Sequence, residues 1–260
     1  MNPLAVTAEG SSDPRPLHAR IAADLRAEIM SGQLPAGTKL PSTNQLRTRF
    51  DASNATIQKA LVLLKTEGLV VGRAGAAVSV RENRQRTVRP AESFAAAVPG
   101  KRFPWLARAA EQGGSAHSTL LAVERTQITG DVAAALDIAD GETVVLRSQL
   151  ISIDGEPAEL VSSYYPLDVA HGTPLSEGRR IRGGTPTLLR ELGHTPGLSV
   201  DRVTACTATQ EQYAALRLPG DLPVLRTLRT VYTVEGKPIE VTVMVKAGHL
   251  YELQYEFTPE

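Results

Sequence analysis

One segment of the chain is written twice. Residues 134–160 read AALDIADGETVVLRSQLISIDGEPAEL, and residues 214–241 read AALRLPGDLPVLRTLRTVYTVEGKPIEV. In each copy a short Ala/Leu helix runs into a glycine turn (Gly141, Gly220), and a Val/Leu/Arg strand follows (Arg147, Arg226). A tight turn at Asp154-Gly155 or Glu235-Gly236 leads to a return strand opened by Pro157 or Pro238, with Glu159 or Glu240 two positions on. Each copy is thus a helix plus a β-hairpin with one apolar face, which neither copy can bury alone. The pattern predicts a mixed antiparallel α/β sheet built from two pseudo-symmetric halves, with helices on one side and a ligand-sized crevice between the halves.

The first 80 residues follow a different period. Leu17, Ile21, Leu25 and Ile29 recur every four positions, one helical stripe, and Gly32 is placed to end it. Ser42 with Gln45 three residues on forms a capping-box pattern that opens a short helix through Leu46 and Phe50. Ser53 caps a third helix whose inner face is Ile57, Ala60, Leu61 and Leu64, stopped by Gly68. Two β-prone runs, Leu69–Val71 and Ala76–Val80, flank Gly72-Arg73-Ala74-Gly75 and read as a hairpin. Helix, helix, tight turn, helix, hairpin is the winged form of the helix-turn-helix. The fold class is therefore α+β: a disordered tail over 1–14, a winged-helix domain over 15–81, a charged and then Ala/Pro-rich linker over 82–102, and a sheet domain over 103–260.

At 260 residues the chain has room for two such cores. Its 28 Lys+Arg and 28 Asp+Glu cancel, but unevenly: residues 1–86 carry 12 basic and 7 acidic side chains, the remainder 16 and 21. A basic small domain on an acidic larger one suits a nucleic-acid partner, because phosphate affinity comes from Lys and Arg. The single Cys206 excludes an intramolecular disulfide and fits a reducing compartment. No apolar run is long enough to span a bilayer, and the N-terminus lacks the features of a secretory signal, so the expected location is the cytoplasm. The five histidines share no metal-ligand spacing, the glycine pairs at 113 and 183 lack a phosphate-loop context, and Ser162-Ser163 is not in a nucleophile elbow. No cofactor, no metal and no catalytic site is expected.

Residues 16–80, with SGQLPAGTKLPS before the second helix and TEGLV before the hairpin, resemble the winged-helix domain of the GntR family of bacterial transcription regulators. LDIADGETVVLR, DGEPAELVSSYYP, IRGGTPTLLRELGHTP and LPGDLPVLRTLRTVYTVEGKPIEV resemble the UTRA effector-sensing domain of its HutC-like branch, whose fold is similar to chorismate lyase. The resemblance implies a homodimeric repressor. Its third helices enter successive major grooves of a roughly palindromic double-stranded DNA operator, and a small-molecule effector changes the placement of the DNA-binding units.

The positions the resemblance assigns to DNA are Ser42, Thr43, Asn44, Arg49, Ser53, Asn54, Ala55, Thr56, Gln58 and Lys59, with Arg73 and Gly75 in the wing. Many family members carry arginine where this chain has Asn44, Asn54 and Gln58. Arginine reads guanine, whereas Asn and Gln pair with adenine N6 and N7, so an A/T-weighted half-site is expected. On an isolated helix Asn54 and Gln58 would read as solvated side chains, and Ser42 and Ser53 serve equally well as caps alone.

For the effector, the resemblance points to Phe103, Trp105, Arg147, Gln149, Ser163, Tyr165, Thr185, Thr187, Glu240 and Lys246. Alternation puts Arg147, Gln149 and Ile151 on one strand face. Phosphosugar-responsive relatives place arginine at the positions of Gln149 and Ile151, so the expected effector is not a sugar phosphate. Trp105 reads equally as a partly buried core residue, and Glu159 and Glu240 as structural groups at equivalent repeat positions. Two alternatives stay open: a second domain that only dimerises, and a lyase-like enzymatic domain, for which no acid/base pair is in evidence.

Overall fold

The computed structural model describes residues 13–72, 77–82, 86–90, 115–181, 183–220 and 222–258. The chain divides into two compact units, residues 1–84 and 85–260. Arg73, Gly75, Phe103 and Trp105, most of the 1–14 tail and most of the 82–102 linker lie outside the described residues.

In the first unit, α1 (Leu17–Met30), α2 (Thr43–Phe50) and α3 (Asn54–Thr66) form the expected three-helix core. The caps are where the sequence puts them. The Gln45 N–H donates to Ser42 Oγ at 3.3 Å and the Ser42 N–H to Gln45 Oε1 at 2.8 Å, a complete capping box. The Thr56 N–H donates to Ser53 Oγ at 3.2 Å. Asp51 carries the turn between α2 and α3 in the left-handed region at φ 45°, which Asp tolerates better than most residues. Ile21, Leu25, Leu46, Ile57 and Leu64 are fully buried against one another. Each contributes about 1.5–3 kcal/mol by leaving water. β1 (Val70–Val71) pairs with β2 (Ser79–Val80), and the backbone of residues 37–40 bonds to the outer side of β2, giving the wing a third edge.

The second unit holds a six-stranded sheet in the order β4-β5-β6-β9-β8-β7, antiparallel throughout. Its strands are β4 (Ala116–Gln127), β5 (Thr143–Ile153), β6 (Glu156–Pro166), β7 (Pro196–Cys206), β8 (Val224–Thr233) and β9 (Pro238–Ala247). The duplicated hairpins are β5–β6 and β8–β9, each preceded by its helix: α4 (Gly130–Leu136) and, in the second copy, a helix over Gln210–Leu216. The repeat therefore extends back one strand, to β4 and β7. Asp154 and Gly155 have φ of 52° and 82°, the two-residue turn that an Asp-Gly pair favours.

The structure departs from the expected layout in where helices and strands fall. Helices cover both faces: α4 and the 210–216 helix pack on one, with Val144, Leu228, Val245 and Leu160, whereas the other meets α5 (Leu167–Ala170), a 3-10 turn (Pro174–Ser176) and α6 (Thr185–Glu191). With β6 and β9 hydrogen-bonded in unbroken register from Glu159↔Lys246 to Tyr164↔Val241, the two halves form one continuous sheet. Arg147 and Arg226 fall on opposite faces: Val144 and Val224 both pack on the side of α4 and the 210–216 helix, and Arg147 stands three positions beyond the one whereas Arg226 stands two beyond the other. In addition, β3 (Arg86–Val88), inside the expected linker, belongs to the second unit, where it pairs parallel with β10 (Tyr251–Leu253).

Leu25→Ala removes a fully buried side chain from the three-helix core. It is expected to destabilise the first unit by about 2–5 kcal/mol. Denaturant unfolding followed domain by domain should show that transition move while the sheet transition stays.

Candidate nucleic-acid interface and effector face

The exposed side of α3 carries Asn54, Ala55, Gln58, Lys59 and Val62, with Thr56 half-buried beneath its first turn. Ile57, Ala60, Leu61 and Leu64 are buried on the other side, which leaves the polar face exposed among the described residues. Thr56 Oγ1 and Ser53 Oγ lie 2.9 Å apart, and Gln58 Nε2 is 3.5 Å from Thr43 Oγ1, a contact too long to hold the amide. Thr43 and Gln58 thus face one another across the turn, bringing the α2 and α3 candidates onto one surface. Asn44, Arg47 and Lys59 are exposed.

Arg49 is placed differently. Its guanidinium is paired with Glu28 on α1 and lies 4.8 Å from the centre of the Phe50 ring. A phosphate would have to displace Glu28. Lys39, exposed where residues 37–40 edge the wing, went unnoticed in the sequence because it is the pairing of that loop with β2, a contact between distant residues, that brings it there.

On the sheet, register places Arg147, Gln149, Ser163, Tyr165, Glu240 and Lys246 on one face, as β5–β6 and β6–β9 pairing requires. Tyr165, Ser163 and Glu240 meet around hydroxyls. Ser163 Oγ lies 2.8 Å from Thr242 Oγ1, which donates to Glu240 Oε1 at 2.6 Å, and the Tyr165 hydroxyl sits among Glu240, Thr185 and Ser163. Burial raises the Glu240 pKa above the ordinary carboxylate value despite these donors, and burial pushes Tyr165 well up as well. The Ser118 hydroxyl donates to Gln149 Oε1 at 2.8 Å. The Thr187 hydroxyl turns back to the Gly183 carbonyl at 3.0 Å.

The cations of this face are committed. Arg147, 3% exposed, donates to the carbonyls of Leu175 and Glu177 at 2.8 Å and of Arg179 at 2.7 Å, so it pins the 173–179 turn. Lys246 Nζ is 3.0 Å from Glu159 Oε1, with both side chains nearly buried. Six positions separate Lys246 from Glu240 along β9, roughly 20 Å, too far to share one small ligand. Arg229 makes two 2.7 Å bonds to Asp201; burial is the largest influence and opposes its charge, but those bonds together with the charges of Asp201, Glu240 and Glu159 leave its pKa raised. Arg229, Asp201 and Thr242 were missed in the sequence. Alternation from Glu240 would have flagged Thr242, whereas Arg229 and Asp201 needed the β7–β8 register. A cleft of ≈ 240 Å³ lies on the opposite face, lined by Thr126, Ile128, Thr129, Val132 and Tyr164, and no expected contact residue borders it. Among the described residues no cluster of His, Cys, Asp or Glu could hold a metal ion, and no helix is long and apolar enough to cross a membrane.

Comparison with known proteins matches this geometry at both ends. Residues 17–80 match the bacterial regulatory proteins of the gntR family, and residues 111–252 match the UTRA domain. The chain belongs to the GntR family. It is 28% identical over 238 residues to the HTH-type transcriptional regulator SCO4628 of Streptomyces coelicolor, covering 88% of each chain. It is 27% identical over 246 residues to the HTH-type transcriptional regulator Rv0792c of Mycobacterium tuberculosis, covering 91% of this chain and 84% of that one. The crystal structure of another GntR-family regulator superposes with a TM-score of 0.61 at 26% identity, over 95% of this chain and 99% of the other. PhnF from Mycobacterium smegmatis shares the fold, with a TM-score of 0.56 at 18% identity over 92% and 100%. This GntR-family chain is a DNA-binding transcription regulator with a C-terminal UTRA domain.

Burial disfavours the charged form of Glu240, and that penalty vanishes below the carboxylate's unfolded pKa. Glu240→Gln is therefore expected to be more stable than wild type at neutral pH, with the difference shrinking on acidification, in urea unfolding across pH. Arg147→Met should cost more than about 2 kcal/mol, because it orphans the carbonyls of the 173–179 turn.

Proposed function

We propose that this regulator is a homodimeric repressor of the HutC-like branch, working in the cytoplasm, in which a small effector held on the polar sheet face lowers affinity for a palindromic operator. The observation that carries the DNA half is the exposed first turn of α3, where Asn54 and Gln58 stand clear of any partner that would hold them, flanked by Lys59. Asn and Gln offer paired donor and acceptor atoms that match adenine, so Asn54 and Gln58 are the base readers and the half-site is A/T-weighted. Ser42, Thr43, Asn44, Ser53, Ala55 and Thr56 line the same surface. Lys59, Lys39 and, once released from Glu28, Arg49 contact phosphates. The wing residues Arg73 and Gly75 belong to this surface by resemblance. One such helix covers one half-site, and a two-fold dimer doubles the contact.

On the effector side, the gathering of Ser163, Tyr165, Thr185 and Glu240 supports a ligand rich in hydroxyl or amine donors. The commitment of Arg147, Lys246 and Arg229 to protein partners argues against a phosphate group, which needs a charge-assisted donor. Phe103 and Trp105 are assigned to the effector by resemblance alone. Release works by population shift: the effector binds more tightly to the conformer unsuited to the operator.

Operator selection from a random duplex library tests the DNA half. An A/T-weighted half-site is expected, and Asn54→Ala with Gln58→Ala should weaken the selected site about tenfold or more each while leaving non-specific binding nearly unchanged. Lys59→Ala should weaken all sequences alike and flatten the plot of log affinity against log salt by about 0.9. Recovery of a guanine-flanked site at full affinity for the Asn54 variant would contradict the assignment.

A further inference from the structure

The cleft on the α4 side of the sheet has no part in either site, and the second repeat shows what sets it apart. Register matches the two copies strand for strand. Thr126 pairs with Val144 as Cys206 pairs with Val224, and Leu146 pairs with Tyr164 as Arg226 pairs with Val245. In the second copy Cys206, Ala208 and Val245 pack with Leu216 in one apolar cluster. In the first copy the corresponding Thr126, Ile128 and Tyr164 instead line a cleft of ≈ 240 Å³, together with Thr129, Val132 and Leu146.

The helix caps differ in the same sense. Thr209 makes a full capping box: the Gln212 N–H donates to its Oγ1 at 3.2 Å, and its own N–H donates to Gln212 Oε1 at 3.0 Å. Thr129 holds the corresponding place before α4, with Val132 where the box needs Gln, and its hydroxyl caps nothing. Asp140 serves that helix end instead, accepting the Gly130 N–H at 2.9 Å. The exposed Thr129 hydroxyl is thereby left to other partners. The Thr126 hydroxyl has a 3.4 Å contact with the Gln127 carbonyl, too long to occupy it.

Buried Ile128 and Val132 give the cleft an apolar floor, and half-buried Tyr164 gives it an aromatic wall. No residue lining it carries a formal charge. Arg226, Asp131 and Glu211 act on Tyr164 from beyond the lining, and the first two are paired with each other at 2.8 Å. An ion would lose its hydration here without a countercharge, whereas a neutral molecule with hydroxyls on its rim and C–H bonds on its faces matches both kinds of wall. The volume lies below the about 300 Å³ at which drug-sized pockets begin, so there is room for one ring. We propose that this cleft is a second small-ligand site, for an uncharged polyhydroxylated ring of monosaccharide size, with Thr126 and Thr129 bonding its hydroxyls and Tyr164 against its C–H face. It stands on the face opposite Glu240 and does not depend on the effector reading above.

Titration of the full-length chain with D-glucose and, separately, myo-inositol, followed by amide chemical shifts, tests it. Saturable millimolar binding is expected for at least one of them, with the largest shifts at Thr129, Val132 and Leu146. Thr129→Val should weaken that binding about fivefold and leave thermal unfolding in place, because the hydroxyl caps nothing. The same change at Thr209 should lower the unfolding temperature, since there the hydroxyl is a cap. Leu146→Phe, which fills the cleft, should abolish binding. D-gluconate, similar in size but charged, should bind at least about tenfold more weakly than the better neutral probe. The proposal is overturned by the lack of a saturable shift with either neutral probe, by shifts centred on Ser163 and Glu240, by full affinity in Thr129→Val, or by gluconate binding as tightly. A protein whose Glu240 face answers to no metabolite would still bind these probes, so the two readings fail separately.

Discussion

The second unit depends on one antiparallel pairing, that of β6 with β9. Its midpoint sets Ser162 against Val243, and beside it the Ser163 and Thr242 hydroxyls meet at 2.8 Å inside the protein. Side chains alternate with a period of two, so this one register decides the face of every residue in both hairpins. A slip by one position would invert one hairpin against the other: with Arg147 and Val144 kept in place, Glu240 and Lys246 would turn toward α4 and the 210–216 helix, and Leu228 and Val241 would leave their core. The register thus fixes the sheet's burial and its chemistry together.

The same constraint accounts for what could be read in advance. The first unit was legible almost residue by residue because its boundaries are set by local chemistry: hydroxyl caps at Ser42 and Ser53, and glycines at 32 and 68 with φ of 78° and 69°. The hairpins were legible through Asp154-Gly155 and Glu235-Gly236. What escaped was non-local. The phase difference between Arg147 and Arg226 lies in how far each stands beyond Val144 or Val224, which matching the two arginines to each other hides. The β3–β10 ribbon joins segments far apart in sequence, each too short to carry a period. The α5 and α6 layer hides in loop-like sequence whose apolar residues, Val169, Leu175 and Leu189, are buried only through tertiary packing.

The candidate contacts divide by the same logic. Those placed by caps and helix phase, such as Asn54 and Gln58, fall on the expected surface. Of those placed by strand phase, Ser163, Tyr165 and Glu240 converge, whereas Arg147 supports a turn and Lys246 stands far along β9 with Glu159. The sequence names residue types and faces, but which charge is already neutralised by a neighbour is decided only in three dimensions. For this face that commitment of Arg147, Lys246 and Arg229 is what favours an effector without a phosphate group.

The central claim is that the α2–α3 surface of the first unit seats itself on duplex DNA. The most direct measurement is amide chemical-shift mapping of the full-length chain titrated with its selected duplex. The account predicts perturbations concentrated over residues 42–59 and the wing, fading as salt is raised. Perturbations that leave α3 untouched, or that centre on the sheet, would contradict it.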